Sequence, residues 1–497
     1  MHRNKDEELI RAVIELYFRG TYEGDSTQLK RAYHPEVQIF GSIGGKQFYW
    51  TLSDFIHRVT EKPTAAERHE KYDKEILLID QTADISEDIS GLLEPMTVAG
   101  RRVPNRLAVL PMEAADAAPG GAPSPWTFRR YEKYAAGGSG TIWIEATSVR
   151  RSGRSNPRQL MLTDETEDAF KLLVVKTREA AAREWGADHQ PLIILQLTHS
   201  GRFAKPEGKP EPLIVHRSPV LDPLHGLPPD YPVLTDEALD GIQDDFVNAA
   251  DLAASAGFDA VDIKACHGYL VSELLASFTR TGSRYGETFD NRGRFLLETI
   301  RRIRQEVPRL LVTSRLSASD MVPFPYGFGM DPNRRKTPSL KETKELIRRL
   351  EKEGVKFMAL SIGVPAWQSH FGRPSDKPVP GTEVPDEHPL EGVARHLRFA
   401  SDLQRNSPRM AVAGPGYSWL RHYFPNVGAA MVRSGKTAIV GQGRGALAYP
   451  DFPKDLVRKG RLNARKVCTA CSLCSDLLRQ QKRVGCVVRD PEYRQAR

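Results

Sequence analysis

Long apolar runs are missing from this chain of 497 residues, and no stretch approaches the roughly 20 consecutive apolar residues of a membrane-spanning helix. The opening residues, MHRNKDEELI, also contain no apolar segment of the kind found in secretory signals. Hydrophobic residues make up 40% of the chain, which is ordinary for a soluble protein with a sizeable core. We therefore expect a cytoplasmic protein that does not enter a membrane.

Cysteine is scarce and unevenly placed. Of the five cysteines, Cys266 stands alone, whereas the last thirty residues contain Cys468, Cys471, Cys474 and Cys486 in the pattern C-x2-C-x2-C-x11-C. A secreted disulfide framework would instead distribute its pairs through a short chain. The clustering therefore predicts a metal or iron–sulfur site near the C-terminus.

The excess of one charge sign is small. Lysine and arginine total 71 and aspartate and glutamate 63, for a net charge of +8. The two signs alternate within segments such as LKETKELIRRLEKEG, and the net-basic end is confined to residues 454–497. Proteins that bind nucleic acids usually concentrate positive charge on one face or tail. We therefore expect a solvated charged surface and no nucleic-acid partner, with anionic small molecules as the next explanation of the charge.

The chain divides into four parts. Residues 1–85 contain an amphipathic helix, short strand-like runs and a second helix, which predicts a small α+β unit. Residues 86–91 belong to an acidic, turn-rich stretch and are interpreted as a linker. Residues 92–460 follow a different rhythm, described next, and residues 461–497 form a tail that carries the four clustered cysteines.

Eight apolar segments of strand length alternate with helical patterns after residue 92. They are residues 107–111, 141–146, 191–197, 259–264, 310–316, 357–363, 410–416 and 437–443. Continuous apolar strands suit a parallel sheet that is buried on both faces. One intervening helix is predicted to begin with a Ser339/Glu342 capping box and to end at Gly354. Eight such repeats predict an α/β fold, a (β/α)8 TIM barrel, with a doubly wound sheet as the alternative.

Polar residues and glycines follow the predicted strands, where TIM barrels carry their chemistry. Strands three, four and five lead into Gln196, Lys264, His267, Tyr269 and Arg315. The last two strands end in turns that contain Gly414, Gly416, Gly443 and Arg444. Glycine-rich turns let backbone N–H groups approach a phosphate, and an arginine adds a fixed positive fork. We therefore expect a phosphorylated ligand, the alternative being that these glycines only form tight turns.

Five segments on successive predicted strands carry a family resemblance: NRLAVLPM, IILQLTHSGR, GFDAVDIKACHGYLVSELL, VTSRLS and VGQGRGALAYPDFP. Together they resemble the Old Yellow Enzyme class of flavin oxidoreductases, and within it the branch with 2,4-dienoyl-CoA reductase and trimethylamine dehydrogenase. The resemblance implies FMN as the cofactor and NAD(P)H as the reductant. It also implies two sets of FMN-binding residues: Pro111, Met112, Gln196 and Arg315 at the flavin ring, and Gly414, Gly416, Gly443 and Arg444 at the phosphate.

The same resemblance implies a reaction. Tyr269 falls on the family's proton donor, whose phenol protonates one carbon of an activated alkene while the flavin delivers hydride to the other. Lys264 and His267 fall on the pair that grips the substrate's carbonyl oxygen, although the family has histidine at the first position. A lysine there can polarise an oxyanion or bind an anionic group, which favours an anionic small-molecule substrate. Glu113 is a candidate pocket residue for which a structural role is favoured.

The cysteine motif agrees with this branch, which carries a [4Fe–4S] cluster just after strand eight. The family motif has one more residue between its second and third cysteines. The resemblance implies that Cys468, Cys471, Cys474 and Cys486 ligate such a cluster, and a zinc site is the alternative. No nucleotide-binding motif follows, so we expect electron exchange with another polypeptide, or hydride entry from NAD(P)H directly. The alternative function is an FMN/iron–sulfur amine dehydrogenase or demethylase that passes electrons through the cluster to a protein partner.

The segments YFRGTYEGD, YHPEVQIFGSIGG and FYWTLSDFIHRV resemble the SnoaL-like branch of the ketosteroid-isomerase-like cones. The last strands of such a cone are missing from the pattern, which predicts an incomplete unit with an unpaired strand edge. His34 and Asp54 are pocket candidates for which a structural role is favoured. We expect this unit to serve interaction or homo-oligomerisation. An interpretation from another class is a non-catalytic cone-plus-barrel scaffold with a zinc site.

Overall fold

The computed structural model describes residues 2–33, 38–43, 46–60, 67, 86 and 88–495, and of residues 2–11, 38–43 and 46–49 it describes the backbone alone. The chain separates into two compact units, Met1–Gln81 and Thr82–Arg497. Among the described residues, no helix is both long and apolar enough to cross a membrane.

The first unit consists of helices around a two-stranded hairpin. Its elements are α1 (His2–Glu23), α2 (Ser26–Ala32), β1 (Gln38–Ile43), β2 (Lys46–Thr51) and α3 (Leu52–Thr60). The strands pair antiparallel. The Asp54 carboxylate accepts hydrogen bonds from the backbone N–H and the hydroxyl of Thr51, at the start of α3. His34 lies outside the described residues.

The second unit begins with a short helix and a hairpin that cover one end of its sheet. These elements are α4 (Ser90–Leu93), β3 (Met96–Val98) and β4 (Arg101–Val103). Val98 and Val103 are fully buried against Trp143 and Phe357, which lie near the start of barrel strands. The amino-terminal end of the barrel is therefore filled with apolar side chains, which leaves the opposite end for a ligand.

Eight parallel strands close into a barrel, so the predicted (β/α)8 TIM barrel is confirmed. The strands are β5 (Leu107–Val109), β6 (Thr141–Ser148), β7 (Leu192–Thr198), β8 (Ala260–Ala265), β9 (Leu311–Ser317), β10 (Phe357–Ser361), β11 (Ala411–Gly414) and β12 (Ile439–Gln442). Each overlaps one of the eight predicted segments. Strand β12 pairs with β5, which closes the ring. The strands are buried along almost their whole length, as continuous apolar runs in a parallel sheet require.

Helices cover the outside of the barrel and continue into the tail. They are α5 (Pro125–Ala136), α6 (Glu167–Trp185), α7 (Asp236–Ser255), α8 (Leu270–Leu275), α9 (Phe289–Glu306), α10 (Lys341–Lys352), α11 (Ser369–Gly372), α12 (Pro389–Asn406), α13 (Phe424–Arg433), α14 (Arg444–Ala448), α15 (Phe452–Lys459), α16 (Leu473–Arg479) and α17 (Pro491–Arg494). Short 3₁₀ helices span Pro119–Gly121, Arg151–Gly153, Gly201–Phe203, Asp222–His225 and Tyr417–Tyr423.

The predicted capping box of helix α10 is wrong, although its predicted end is right. Leu340 occupies the N-cap position and no side chain caps the helix. The carboxylate of Glu342 instead accepts hydrogen bonds from the guanidinium of Arg292 on α9, at 2.7 and 3.2 Å. A charged partner gives this carboxylate a stronger hydrogen bond than a backbone N–H does. Gly354 follows the helix with a φ of +85°, as a closing glycine should.

The cysteine-bearing tail packs beside the loop that follows β5. Leu477, Val484 and Tyr493 of the tail form an apolar cluster with Ala114 of that loop. The carboxylate of Asp490 also accepts a hydrogen bond from Arg129 on α5, at 2.9 Å. These contacts place the four cysteines near the carboxyl ends of the barrel strands.

Candidate active site

A cavity of about 380 Å³ opens at the carboxyl ends of the barrel strands. This volume lies within the range of roughly 300–1,000 Å³ that small-molecule sites occupy. Of the eleven residues predicted for catalysis and flavin binding, ten line the cavity: Lys264, His267, Tyr269, Pro111, Met112, Gln196, Arg315, Gly416, Gly443 and Arg444. Gly414 does not. A Cβ atom there would lie 2.9 Å from Thr437 Oγ1 and 3.5 Å from Ala400 Cβ, between the strand and its neighbours.

A buried carboxylate fixes the orientation of Gln196 on one wall. Asp262 lies on β8 with no solvent exposure, and its Oδ2 accepts a hydrogen bond from Gln196 Nε2 at 2.7 Å. Its other oxygen accepts the backbone N–H of Arg315. Because the Gln196 amide nitrogen is committed to Asp262, its carbonyl oxygen is left for a donor in the cavity. Burial raises the pKa of Asp262 to about 6, so the carboxylate is ionised at neutral pH.

Asp262 is a positioning residue that the sequence analysis did not name. It precedes Lys264 by two residues on the same strand, and residues at that spacing share a face of a sheet. The alternation of side chains along a strand could therefore have identified Asp262 from the sequence.

Two buried guanidinium groups present unpartnered N–H donors. Arg315 Nη1 donates to the carbonyl oxygen of Pro111 at 3.0 Å, whereas its Nε has no partner among the described residues. Arg444 Nη2 donates to the carbonyl oxygen of Pro374 at 2.6 Å, and its Nη1 is likewise buried and without a partner in the described chain. Buried donors of this kind are normally satisfied, so both positions fit an anionic or carbonyl-bearing ligand.

The glycines of the last two strands leave room next to Arg444. Gly416 has a φ of +99°, which a residue with a side chain rarely adopts, and a Cβ there would lie 2.6 Å from His396 Cβ. Gly443 comes directly before Arg444 and lines the same cavity. With the unpartnered guanidinium N–H, this cradle fits the phosphate of FMN, and Gln196 and Arg315 fit the pyrimidine edge of its ring.

Tyr269 reaches the cavity because the chain turns sharply after β8. His267 has a φ of +69° and Gly268 a φ of +73°, so two successive residues adopt the left-handed conformation. The Tyr269 hydroxyl donates a hydrogen bond to Glu113 Oε2 at 3.0 Å. Lys264 Nζ lies 3.3 Å from the centre of the Tyr269 ring. A cation over a ring face at this distance is stabilised by the ring's quadrupole.

Burial shifts the protonation of all three predicted catalytic side chains. It raises the pKa of Tyr269 well above the usual value, and the neighbouring carboxylate of Glu113 adds to the effect. Burial lowers the pKa of Lys264 to about 8, partly offset by Glu113. Burial also holds the pKa of His267 well below its usual value, so this imidazole is neutral. Its Nε2 lies 2.6 Å from Ser361 Oγ, which fixes the ring.

Glu113 lines the cavity and accepts three hydrogen bonds there. Besides the Tyr269 hydroxyl, its Oε1 accepts hydrogen bonds from Ser155 Oγ and, at 3.2 Å, from Asn156 Nδ2. Ser155 and Asn156 also line the cavity and were not identified in the sequence analysis. They lie in the loop after β6, and the rule that places barrel chemistry in such loops could have drawn attention to them. The negative charge of Glu113 also raises the pKa of Lys264, against the larger effect of burial.

The cavity wall is strongly cationic. One carboxylate, that of Glu113, lines it, against six basic side chains: Lys205, Lys264, Arg315, Arg373, Arg444 and Arg479. Arg373 donates to the hydroxyl of Ser475 in the tail at 2.7 Å, and burial lowers its pKa. This excess of positive charge favours anionic ligands.

The four clustered cysteines line a second, smaller cavity together with Arg444. Ala470 and Ser472, which lie between them, both adopt the left-handed conformation and curl the chain around this cavity. Cys468 Sγ accepts the backbone N–H of Ala470 at 3.4 Å. In the described part of the chain, no three or more His, Cys, Asp or Glu side chains are arranged to hold a metal ion. The thiols of a [4Fe–4S] cluster each bind a different iron, so they need only face a common cavity.

Comparisons with known proteins agree with the fold. Residues 91–354 match the model of the NADH:flavin oxidoreductase / NADH oxidase family. Residues 5–87 match a family described as putative lumazine-binding, which has the SnoaL-like fold. The chain is 30% identical over 287 residues to an NADH:flavin oxidoreductase of Gibberella zeae, covering 54% of this chain and 66% of that protein. It is 28% identical over 372 residues to an NADH oxidase of Thermoanaerobacter brockii, covering 74% of this chain and 51% of that protein.

The chain thus spans about half to two thirds of the length of these two relatives. Among solved structures, it resembles a 2-naphthoyl-CoA reductase with a TM-score of 0.64 and 20% identity, over 81% of this chain and 57% of that one. It resembles histamine dehydrogenase from Rhizobium sp. 4-9 with a TM-score of 0.61 and 21% identity, over 82% and 53%. An Old Yellow Enzyme homologue from Zymomonas mobilis gives a TM-score of 0.55 and 19% identity, over 77% and 96%.

Proposed function

Because this chain belongs to the NADH:flavin oxidoreductase / NADH oxidase family, we propose that it is an FMN-dependent enzyme that uses NAD(P)H to reduce an activated alkene. The alkene is conjugated to a carbonyl group. The observation that supports this reaction most is that Lys264 Nζ lies 3.3 Å from the centre of the Tyr269 ring. Both residues line the same cavity as Arg315 and Arg444. A proton donor and an oxygen-binding cation are thereby within reach of one small ligand.

FMN is held by residues from both sides of the cavity. Arg444, Gly416 and Gly443 bind its phosphate, and Arg315 and Gln196 bind the pyrimidine edge. The backbone of Pro111 and Met112 lines the ring. When bound, FMN supplies a hydride to the substrate after accepting one from NAD(P)H.

The side chains of this chain supply the proton and hold the substrate. Lys264 as an ammonium and neutral His267 bind the carbonyl oxygen and stabilise the negative charge that develops there. Tyr269 then transfers its phenolic proton to the carbon next to the carbonyl group. Because burial disfavours its phenolate, Tyr269 stays protonated until that transfer.

The substrate is an anionic small molecule. Six basic side chains and one carboxylate line the cavity, so positive charge is in excess. The two negative charges of the FMN phosphate would not neutralise this excess. Arg373 and Lys205 in particular have no assigned role in holding FMN. A carboxylate or phosphate on the substrate would neutralise them. A conjugated alkenoic acid should therefore be a better substrate than its methyl ester.

The tail holds a [4Fe–4S] cluster ligated by Cys468, Cys471, Cys474 and Cys486. Arg444 lines both this cavity and the flavin cavity, so the two redox groups would be neighbours. A protein electron-transfer partner is then a second source or acceptor of electrons. The N-terminal unit, residues 1–85, serves interaction or homo-oligomerisation, and residues 86–91 link it to the barrel.

A second candidate function is oxidation of an amine, with electrons leaving through the cysteine cluster. Arg444 lines both the flavin cavity and the cysteine cavity, and this proximity favours electron transfer between them. One of the similar solved structures is named as a histamine dehydrogenase. The deciding observation is the electron donor: an amine that reduces the flavin without NAD(P)H would support this function.

The experiment is an anaerobic absorption spectrum of the purified protein before and after NADH or NADPH is added, followed by a conjugated alkenoic acid. Flavin bands that bleach with the nucleotide and return with the alkene would support the proposal. Flavin bands that do not change when either nucleotide is added would contradict NAD(P)H as the reductant. A colourless protein that contains zinc would support the scaffold interpretation instead.

A further inference from the structure

We propose that Ser361 is a positioning residue that fixes the tautomer of His267: its hydroxyl donates to Nε2, so that Nδ1 carries the ring proton into the cavity. The inference rests on the proposed function, in which His267 binds the carbonyl oxygen of the substrate. It identifies the atom that makes this hydrogen bond, Nδ1, and the residue that keeps the proton there.

Ser361 is held firmly at the carboxyl end of β10. It pairs in register with Ser317 on the neighbouring strand β9, and its carbonyl oxygen accepts the backbone N–H of Ala318 at 2.8 Å. The residue is buried. Because these backbone contacts fix Ser361, its hydroxyl can orient a side chain that comes from another strand.

The ring of His267 connects two strands that are not neighbours. Strands β8 and β10 lie on either side of β9, and His267 follows β8 with a φ of +69°. Its Nε2 lies 2.6 Å from Ser361 Oγ, which occupies one ring nitrogen. The other nitrogen, Nδ1, has no hydrogen-bond partner among the residues that the structure describes, and His267 lines the cavity. Nδ1 is therefore the nitrogen left for a ligand.

The protonation of His267 limits what its two nitrogens can do. Burial, together with the positive charges of Arg315 and Lys264, holds the pKa of His267 well below its usual value, so the ring is neutral. A neutral imidazole carries a single N–H group. To stabilise negative charge on the substrate oxygen, Nδ1 must be the nitrogen that carries it. Nε2 is then an acceptor, and the group that contacts it must donate.

The Ser361 hydroxyl meets this requirement. In the described part of the chain, His267 Nε2 is the one hydrogen-bond partner of Ser361 Oγ. Buried hydroxyl groups normally have a hydrogen-bond partner. If Nε2 carried the ring proton, Ser361 Oγ would accept it, and the hydroxyl hydrogen would have no acceptor within the described chain. The tautomer with the proton on Nδ1 is the one that satisfies both groups, and the contact at Nε2 selects it.

Two substitutions of His267 distinguish its nitrogens. The amide nitrogen of asparagine lies as many bonds from Cβ as Nδ1 does, and that of glutamine as many as Nε2 does. Each variant is reduced with NAD(P)H and mixed anaerobically with a conjugated alkenoic acid, and flavin reoxidation is followed. We expect both variants to be slower than the wild type, and His267→Gln to be at least about tenfold slower than His267→Asn, because it lacks the oxyanion donor. Equal rates or the reverse order would overturn the inference.

Ser361→Ala tests the positioning role. It should slow alkene reoxidation about tenfold without weakening FMN binding, because the ring is no longer held in one tautomer. Ser361→Thr keeps the hydroxyl and should recover most of the rate. Ser317→Ala is the matched control, since Ser317 occupies the facing position on β9 and does not line the cavity.

A double variant shows whether Ser361 acts through His267. In the His267→Asn background, Ser361→Ala should cause no further loss of rate, because no imidazole remains to be oriented. A further tenfold loss there would give Ser361 a role independent of His267 and would overturn the inference.

The tautomer can also be measured without turnover. In oxidised holoenzyme whose histidine rings contain nitrogen-15, NMR shows which nitrogen carries the proton, and the signals of His267 are those lost in His267→Asn. We expect the proton on Nδ1 in the wild type and on Nε2, or shared, in Ser361→Ala. A wild-type proton on Nε2 would overturn the inference whatever the Ser361 variants do.

The outcomes distinguish this inference from the proposed function. His267→Ala removes both nitrogens and should slow alkene reoxidation about 100-fold or more. If His267→Ala keeps the wild-type rate, His267 does not bind the carbonyl oxygen and that part of the proposed function is wrong. If His267→Ala is slow but Ser361→Ala matches the wild type, the proposed function stands and the role of Ser361 is overturned.

Discussion

The ammonium of Lys264 lies 3.3 Å from the centre of the Tyr269 ring. Both residues come from the carboxyl end of β8, five positions apart, and the left-handed turn at His267 and Gly268 brings the ring back over the strand. Through this turn, one strand and its loop supply the proposed oxygen-binding cation and the proposed proton donor. The proposed mechanism therefore depends on the charge state of Lys264.

The first prediction concerns pH. The pKa of Lys264 is about 8, below its usual value, because burial disfavours the ammonium, with Glu113, Arg315 and Asp262 as the charged groups around it. In the proposed mechanism the ammonium binds the carbonyl oxygen below pH 8, and as the pH rises through about 8 this charge is lost. The rate of alkene reduction should therefore fall on the alkaline side with a midpoint near pH 8. The measurement is flavin reoxidation by the alkene between pH 6 and pH 10, in steps of about half a unit.

Lys264→Met should be slower than the wild type by about tenfold or more and should lose this alkaline limb. Lys264→Arg keeps its charge throughout the range and should lose the limb as well. An unchanged midpoint near pH 8 in either variant would assign the limb to another group.

The second prediction concerns flavin affinity. Asp262→Asn replaces the buried carboxylate that accepts hydrogen bonds from the Gln196 amide and the Arg315 backbone N–H. Both residues would then be held less firmly in the positions proposed to bind FMN. A hydrogen bond to a charged group contributes about 1.5–3 kcal/mol, so FMN should bind about tenfold or more weakly. The measurement is the recovery of flavin fluorescence on dilution of the holoenzyme.

Asp320→Asn is the matched control for Asp262→Asn. Asp320 is also fully buried, with a pKa of about 6, but it contacts Ser272 and the backbone of Phe328 and does not line the cavity. Equal loss of FMN in the two variants would show that the effect comes from general destabilisation.

The third prediction concerns the phosphate cradle. Gly416→Ala forces an alanine into the left-handed conformation and places its Cβ 2.6 Å from His396 Cβ. The left-handed conformation alone costs about 1–2 kcal/mol, and the clash adds to it. Gly435 is also left-handed, but a Cβ there meets nothing within 4 Å. Gly416→Ala should therefore lower the free energy of unfolding more than Gly435→Ala, and it alone should reduce bound FMN.

The outcome that counts against the cradle is specific. If Gly416→Ala and Gly435→Ala bind FMN equally well in an equilibrium titration, the turn after β11 does not hold the phosphate.

The fourth prediction concerns the cysteines. Cys474→Ser removes one proposed cluster ligand, so anaerobically purified protein should lose most of its iron and acid-labile sulfide. Cys266→Ser is the control, because Cys266 is buried in the barrel and does not line the cysteine cavity. Iron and sulfide analysis with electron paramagnetic resonance of the reduced protein gives the readout. Zinc in place of iron, or iron that survives Cys474→Ser, would refute the cluster assignment.

The barrel was predictable from the sequence because its strands are continuous apolar runs, and β5 to β12 match the eight predicted segments. Ten of the eleven predicted site residues also line one cavity, because side chains at the carboxyl ends of parallel strands converge. Gly414 is the exception, since it is the last residue of β11 and packs against its neighbours. The sequence pattern places it near the turn but does not show which way it faces.

Glu113 shows why the rest was not predictable. Its partners Tyr269 and Asn156 are distant in sequence, and no local periodicity links them. The capping box of α10 failed for a related reason: the pattern around Glu342 is local, but Arg292 comes from another helix. The partners of Glu113 and Glu342 are set by contacts between residues distant in sequence. These contacts form only once the barrel has closed, so a local sequence pattern does not reveal them.

The measurement that tests the central claim most directly is single-turnover reoxidation of the NAD(P)H-reduced holoenzyme by a conjugated alkenoic acid, in the wild type, Tyr269→Phe and Tyr285→Phe. Tyr285 is a buried tyrosine whose hydroxyl bonds to Asp240 outside the cavity. We expect Tyr269→Phe to slow reoxidation about 100-fold or more, and Tyr285→Phe to leave it close to the wild-type rate. Equal rates in all three proteins would contradict the assignment of Tyr269 as the proton donor.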